Sequence, residues 1–411
     1  MKKIIGVSLI VLMVLLAACS TQNTGTETTN LLEANWDSVL EEAKGQTVNI
    51  HMWGGSETIN NYMDSFVAPN LKEQFDVELN RVPITDAKDM INKLLTEKEV
   101  NKEEGTIDIF WINGENFKRS KDNDLLWGSF AGALPNYQNY IDGEAEDMLF
   151  DFGEPVEGYE VPWGKAQFVM IYDSARVENP PKSMDELMKW AEENPGKFTY
   201  PAPPDFTGSA FIRHGLYETT GGYQQYLENM DMEKFNTQSE SLYSYLNELK
   251  PNLWRNGETY PESTAKLDQL FANGEVDFTM NYNSVHASNM IKAGQFPDTA
   301  RSFVFDQGTL SNTHYLSIPY NASHKAGAMV VVNYLVSPQA QIAKLDPTYW
   351  GDETVLDVNK LTYADRQAME AIDLGQATLP RTELSTHRVP EIKADYVNEL
   401  ENGWYDKVAK D

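Results

Sequence analysis

Two periodicities alternate along the chain. Trp36 to Ala43 shows helical spacing closed by Gly45, and Thr47 to Trp53 then alternates apolar and polar positions like a half-buried strand that stops at Gly54-Gly55. Ser56 is suited to cap the next helix, whose apolar face is Ile59, Met63, Phe66 and Ala68 to Leu71. Phe75 to Ile84 alternates again, and Asp89 to Glu97 has the spacing of an amphipathic helix. Ile107 to Ile112 then predicts a buried strand ending at Asn113-Gly114-Glu115-Asn116. This β-α-β-α-β order predicts a mostly parallel sheet covered by helices. Later the pattern restarts. Ser263 caps a helix through Leu267, Leu270 and Phe271, Gly274 ends it, and Val276 to Met280 predicts a strand closing on Asn281-Tyr282-Asn283. Tyr315 to Pro319 predicts a strand and Lys325 to Leu335 a helix, and no repeat of fixed period runs through the chain.

Length turns this pattern into an expectation of two lobes. A chain of 411 residues with 41% hydrophobic content exceeds the roughly 250 to 300 residues at which a single core stops growing. Its first residues are expected to be lost. Lys2 and Lys3 precede the apolar run Ile4 to Leu16, which is shorter than the ~20 residues of a membrane span, and Leu16-Ala17-Ala18-Cys19 resembles a bacterial lipoprotein signal. The single cysteine of the chain sits where such a signal places its lipidated residue. Residues 1–18 are then the signal peptide and Cys19 the mature N-terminus, anchored to the outer face of the cell membrane. Residues 19–31 form a tether, because Ser20 to Asn30 offers almost no apolar side chain to bury.

Composition excludes more than it identifies. One cysteine allows no internal disulfide. The net charge of −29 disfavours nucleic acid and anionic lipid, yet describes the whole surface rather than any one cleft. The six histidines show no metal-ligand spacing, no Tyr-Tyr pair offers phenolate ligands to iron, and neither a metal nor a cofactor is expected.

Ligands of open α/β sheets bind beyond the carboxyl ends of the strands. That rule selects Trp53, Gly54, Gly55 and Ser56, then Asn113, Gly114, Glu115 and Asn116, then Asn281, Tyr282 and Asn283. Glycine ahead of a helix lets backbone N–H groups approach a ligand, although the same glycines also serve simply to turn the chain. The segment Pro201 to Phe211 sets two prolines before Asp205, Thr207, Gly208 and Ser209 and a helix near Ala210, and reads either as a preordered ligand loop or as a capped helix start. Trp53, Trp163 and Tyr282 are the aromatic candidates for stacking on a ring or a cation, while Trp111, inside its strand, reads as core. Asp205 or Glu115 beside such rings suits a positively charged organic molecule, and Asp205→Ala is then expected to weaken binding without lowering the melting temperature.

Several segments carry a resemblance. Glu160-Val161-Pro162-Trp163-Gly164, Ile171-Tyr172-Asp173, Asn179-Pro180-Pro181 and Met184-Asp185-Glu186-Leu187 resemble the outward hinge strand and the following segment of type II periplasmic binding proteins, as Ser337-Pro338-Gln339-Ala340-Gln341 resembles their late helix start. Trp111 to Phe117, Pro201 to Phe211 and Asn312-Thr313-His314 with Ile318-Pro319 are similar to the YnjB-type subfamily. The resemblance implies an α/β fold of two lobes joined by a hinge, each a mostly parallel sheet flanked by helices. Lobe one is expected over 32–165 plus 285–335 and lobe two over 166–284 plus 336–411. It also implies a monomeric solute-binding lipoprotein, not an enzyme, that hands a small polar or cationic, thiamine-like solute to the permease and ATPase subunits of an ABC importer, with Thr313 and His314 added to the site. A secreted hydrolase with paired carboxylates and a lipoprotein that binds a protein partner are the alternatives, but no Gly-x-Ser-x-Gly, His-Glu-x-x-His or phosphate-binding loop is present.

Overall fold

The structure, a computed structural model, describes residues 30–410. Cys19 and the signal segment lie outside the described residues, whereas Leu31, at the end of the expected tether, is buried in a hydrophobic core. The strands are β1 (Thr47–Trp53), β2 (Glu78–Ile84), β3 (Ile109–Ile112), β4 (Phe150–Asp151), β5 (Glu154–Pro155), β6 (Glu160–Gln167), β7 (Val169–Asp173), β8 (Phe278–Asn281), β9 (Ala300–Phe303), β10 (Thr309–Ser317) and β11 (Arg388–Pro390).

A six-stranded sheet runs β11-β10-β3-β1-β2, with β6 also on β10. β1 is parallel to β2 and β3, whereas β10 runs antiparallel to β3 and β6. Alternation along β3 sends Ile109 and Trp111 to one face and Phe110 and Ile112 to the other, so helices cover the sheet on both sides. Helices Trp36–Ala43, Lys325–Leu335 and Pro338–Leu345 pack on the first face. Helix Ala87–Glu99, through Met90, Ile91 and Leu94, and Phe117 pack on the second.

β6 carries the chain out of this sheet. Val161 and Trp163 belong to the core on the first face of this sheet, and Phe168, just beyond β6, already belongs to a second core. β10 makes the return crossing, with Leu310 in the second core and Leu316 in the first. The second lobe is built on β8-β7-β9. Both of its pairings are antiparallel, unlike the mostly parallel sheet expected there, because β7 runs out of the first lobe while its two partners run back toward it.

The packing departs from the expected lobe division in several places. β9, inside the 285–335 stretch, pairs with β7 of the second sheet. Ala340, Trp350 and Val355 pack in the first core rather than the second, because helix Pro338–Leu345 follows its predecessor closely and Tyr62 donates to the Ala340 carbonyl at 3.0 Å. Several strand boundaries also moved, two of them for visible reasons. β2 begins three residues late because Phe75 still ends a helix and Asp76 caps it at φ 54°. β10 begins six residues before Tyr315 because polar Thr309 to His314 is carried into the interior by hydrogen bonds that hydropathy cannot reveal.

Candidate functional site

The register lines up the strand ends. His51 lies opposite Phe110, Tyr315 opposite Ile112 and His314 opposite Gly164. Continuing those pairings sets Gly54, Asn113, His314 and Gly164 in one row at the edge of the larger sheet, facing the second lobe. Trp53, at the end of β1, is 46% exposed, and the backbone turns at Gly54 and Gly55 into a short helix whose N-cap is Ser56. Asn113, Glu115 and Asn116 are half-buried at the end of β3.

Across the cleft the predicted residues divide sharply. Ser209 Oγ donates to Glu401 Oε1 at 2.6 Å and accepts from Arg213 Nη1 at 2.7 Å. Tyr282 Oη donates to Glu391, and its ring lies 5.1 Å from that of Phe206, itself 43% exposed. Asp205, by contrast, is spent on the fold. Its carboxylate accepts from Thr207 N and Gly208 N, and from both the backbone N and Oγ1 of Thr264, joining two helix starts. The expectation that Asp205→Ala leaves the melting temperature untouched is therefore corrected, because a group holding four donors is a structural cap. Gly208 lies tight against the Pro201 carbonyl, where a Cβ would overlap it, and Thr207 is buried beside it.

The remaining candidates are also internal. Asn281 and Asn283 fold back on the backbone N–H groups of Asn283 and Val285. Thr313 Oγ1 donates to the Asp147 carbonyl at 2.7 Å. Trp163 is fully buried, whereas Trp111, read as core, is only half-buried and meets Trp163 edge-on at 5.4 Å. His314, 4% exposed, stacks on Trp350 at 5.5 Å.

The groups that bring the lobes together were mostly invisible in the sequence. From the first lobe, Lys88 Nζ lies 3.3 Å from Glu115 Oε1, and Glu115 Oε2 is buried without a hydrogen-bond partner among the described residues. From the second, Arg213 grips Glu391 through two bonds of 2.9 Å, and Glu391 also receives Tyr282. Burial lowers the guanidinium's proton affinity, but Glu391 outweighs it, so Arg213 stays charged. Glu401 joins the sides. Burial pushes its carboxyl up, Ser209 and Arg213 pull it down, and Glu115 across the cleft pushes it up again, leaving it above the ordinary carboxyl range. Beside these groups a groove of about 600 Å³ runs between the helices Glu115–Asp122 and Ala394–Trp404, lined by Lys88, Glu115 and Asn116 on one side and Met230, Asn398 and Glu399 on the other. Arg213 had a signal, a lone arginine four residues after Ser209 in an otherwise apolar helical run. Glu391 and Glu401 had none, since nothing local ties them to a loop nearly two hundred residues earlier.

Residues 65–351 match the family model described as bacterial extracellular solute-binding protein. The chain is 37% identical over 372 residues to protein YnjB of Escherichia coli (strain K12), covering 90% of this chain and 93% of that one. The spermidine/putrescine transporter substrate-binding protein PotD of Streptococcus pneumoniae superposes with a TM-score of 0.63 at 17% identity, covering 88% of this chain and 98% of PotD. A periplasmic thiamin binding protein superposes with a TM-score of 0.56 at 16% identity, covering 88% and 94%. At such identities these two share the fold.

Proposed function

The chain belongs to the bacterial extracellular solute-binding proteins, and from that premise we propose that it captures a small polar or cationic organic solute between its lobes and delivers it to an ABC-type permease in the membrane. The observation that carries the reading is the convergence of Glu115 and Lys88 from one lobe with Glu401, Ser209, Arg213 and Tyr282 from the other. Arg213 is matched by Glu391 and Lys88 by Glu115, and among the described residues no ion pair is formed by Glu401. Trp53 and Phe206 add an exposed aromatic face from each lobe. A ring bearing one positive charge, as in a thiamine-like molecule, suits that set, and the names of the thiamin and spermidine/putrescine relatives are consistent with it.

Solute touching both lobes stabilises the closed arrangement by its differential affinity, and the permease then reads occupancy as shape. The Cys19 signal supports attachment to the outer face of the membrane by a lipid. Thermal shift against thiamine, its phosphates, choline and polyamines tests the capture reading. A ligand at a hundred times its dissociation constant stabilises by about 2.7 kcal/mol, and Glu401→Gln is expected to weaken a cationic ligand by roughly tenfold. Equal affinity of the variant and the parent for a cationic ligand, or tight binding of an anion in its place, would sink the cationic reading.

A further inference from the structure

The hairpin Phe150–Pro155 reaches between the lobes. Asp151 Oδ2 accepts the Gly114 N–H at 2.6 Å, which fixes the 113–116 loop from beneath. The next residue faces the other way. Phe152 packs in the second lobe's core, its ring 5.7 Å from the Arg213 guanidinium carbon, and its carbonyl accepts from Ala394 N at 3.0 Å. Phe152 holds φ 45°, a left-handed conformation uncommon for a bulky residue. Strain of that kind persists where surrounding contacts over-determine it. Gly114, at φ 59°, is in a conformation that disfavours a side chain, and a Cβ there would lie a tight 3.2 Å from the Phe152 ring.

A second observation lies behind the hairpin. Asp151 Oδ1 and both carboxyl oxygens of Glu160 are buried and have no hydrogen-bond partner among the described residues. Glu160 opens β6, the strand that leaves for the second lobe. Burial pushes the Asp151 carboxyl well up, Gly114 opposes this, and Glu391 and Glu154 add to it. Burial likewise pushes Glu160 well up, the Asp151 charge adds to this, and Lys121 opposes it. Lys121 is already engaged with Glu154 and Glu157. Arg213 is engaged with Glu391. Tyr315, the remaining titratable neighbour, donates to the Phe150 and Asp147 carbonyls and is itself pushed up by burial and by these two acids.

We propose that Asp151 is a positioning residue for the cleft: from the wedged hairpin it holds the 113–116 loop through Gly114, and the protons carried by Asp151 and Glu160 make that hold dependent on pH. While the pair is neutral, Asp151 keeps an acceptor on Gly114 and no uncompensated charge lies at the joint. As pH rises and the pair ionises, the buried negative charges draw the hairpin toward water and release the loop that carries Glu115 and Asn116. The meaning for capture rests on the reading of those residues as solute-binding, but the device itself is read without any solute.

Hydrogen exchange of the full chain, followed in peptides spanning residues 109–122 and corrected for intrinsic rates, tests it. In the parent, protection is expected to fall by roughly tenfold as pH rises above the ordinary carboxyl range near ~4. Asp151→Asn, which keeps an acceptor and cannot ionise, should keep protection and flatten the profile, whereas Asp151→Ala should lose protection at every pH. A profile shared by the parent and Asp151→Asn overturns the proposal, and so does full protection in Asp151→Ala. Should Asp151→Ala fail to fold, the parent and Asp151→Asn profiles still decide. Restoration of high-pH protection by millimolar calcium also overturns it, because the free oxygens would then hold a metal ion in place of protons.

Discussion

Adjacent residues of β10 point into two buried polar clusters that solve the same problem differently. His314 Nε2 lies 3.0 Å from Asp352 Oδ2, although not aligned for a hydrogen bond, and Lys344, fully buried, donates to that same oxygen and to the Glu353 carbonyl. Tyr315, next along the strand, reaches the hairpin beside Asp151 and Glu160, where three carboxyl oxygens have no partner among the described residues. In the first cluster burial pushes Asp352 up, yet His314 and Lys344 outweigh it and leave the carboxyl below its ordinary range. In the second nothing outweighs burial, and both acids are pushed up. The first cluster therefore keeps its carboxylate ionised beside a hinge strand, although burial pushes the Lys344 ammonium down, while the second leaves its carboxyls uncompensated and responsive to pH.

Breaking the balanced cluster should have the largest effect. Lys344→Met removes the ammonium and strands the buried Asp352 carboxylate, which costs about 3 to 5 kcal/mol. Gly164→Ala attacks it sterically, since a Cβ at that position of β6 would overlap Asp352 Oδ2 and His314 Nε2. Urea unfolding midpoints at neutral pH check both. If Lys344→Met unfolds at the parent's midpoint, Asp352 is not held by that ion pair and the contrast between the clusters collapses.

Asp205 sharpens the comparison from between these extremes, because its carboxylate has four donors and no cation. Asp205→Ala should cost about 1 to 2 kcal/mol of stability. Its effect on solute affinity should be no larger than that of an unrelated mutation of equal instability. A tenfold loss of affinity with an unchanged melting temperature would restore the direct ligand role read from the sequence.

The same contrast explains what the sequence made legible. Val48, Ile50 and Met52 are buried along β1 as their alternation predicts, and Ser56 and Ser263 cap the helices whose spacing announced them. Those signals are local, and so were the loops at 53–56 and 113–116 on one side of the cleft. Arg213 meets Glu391, and Ser209 meets Glu401, across 178 and 192 residues, so no window along the chain contains both partners. The Pro201 to Phe211 motif spends its carboxylate on Thr207, Gly208 and Thr264, and its exposed face is Phe206. A sequence names the residue types of a polar cluster and leaves open which of them are spent on the fold.

The smallest expected effect tests the unbalanced cluster. Glu160→Gln replaces the acid by a neutral isostere with the same burial. A carboxyl raised in the folded state holds a proton that the unfolded chain has released, so its contribution to stability is complete below the unfolded value near ~4.3 and is lost as pH rises through the folded one. Glutamine resembles the protonated form at every pH. At about pH 5, where both acids are raised, the substitution should change the urea midpoint little. At about pH 8 it should raise the urea midpoint above the parent's, because the parent must there either keep an unfavourable proton or bury an unpaired charge. A gain that shrinks as pH rises would mean that Glu160 is ionised and compensated in the folded chain, and the two clusters would then differ in composition but not in kind.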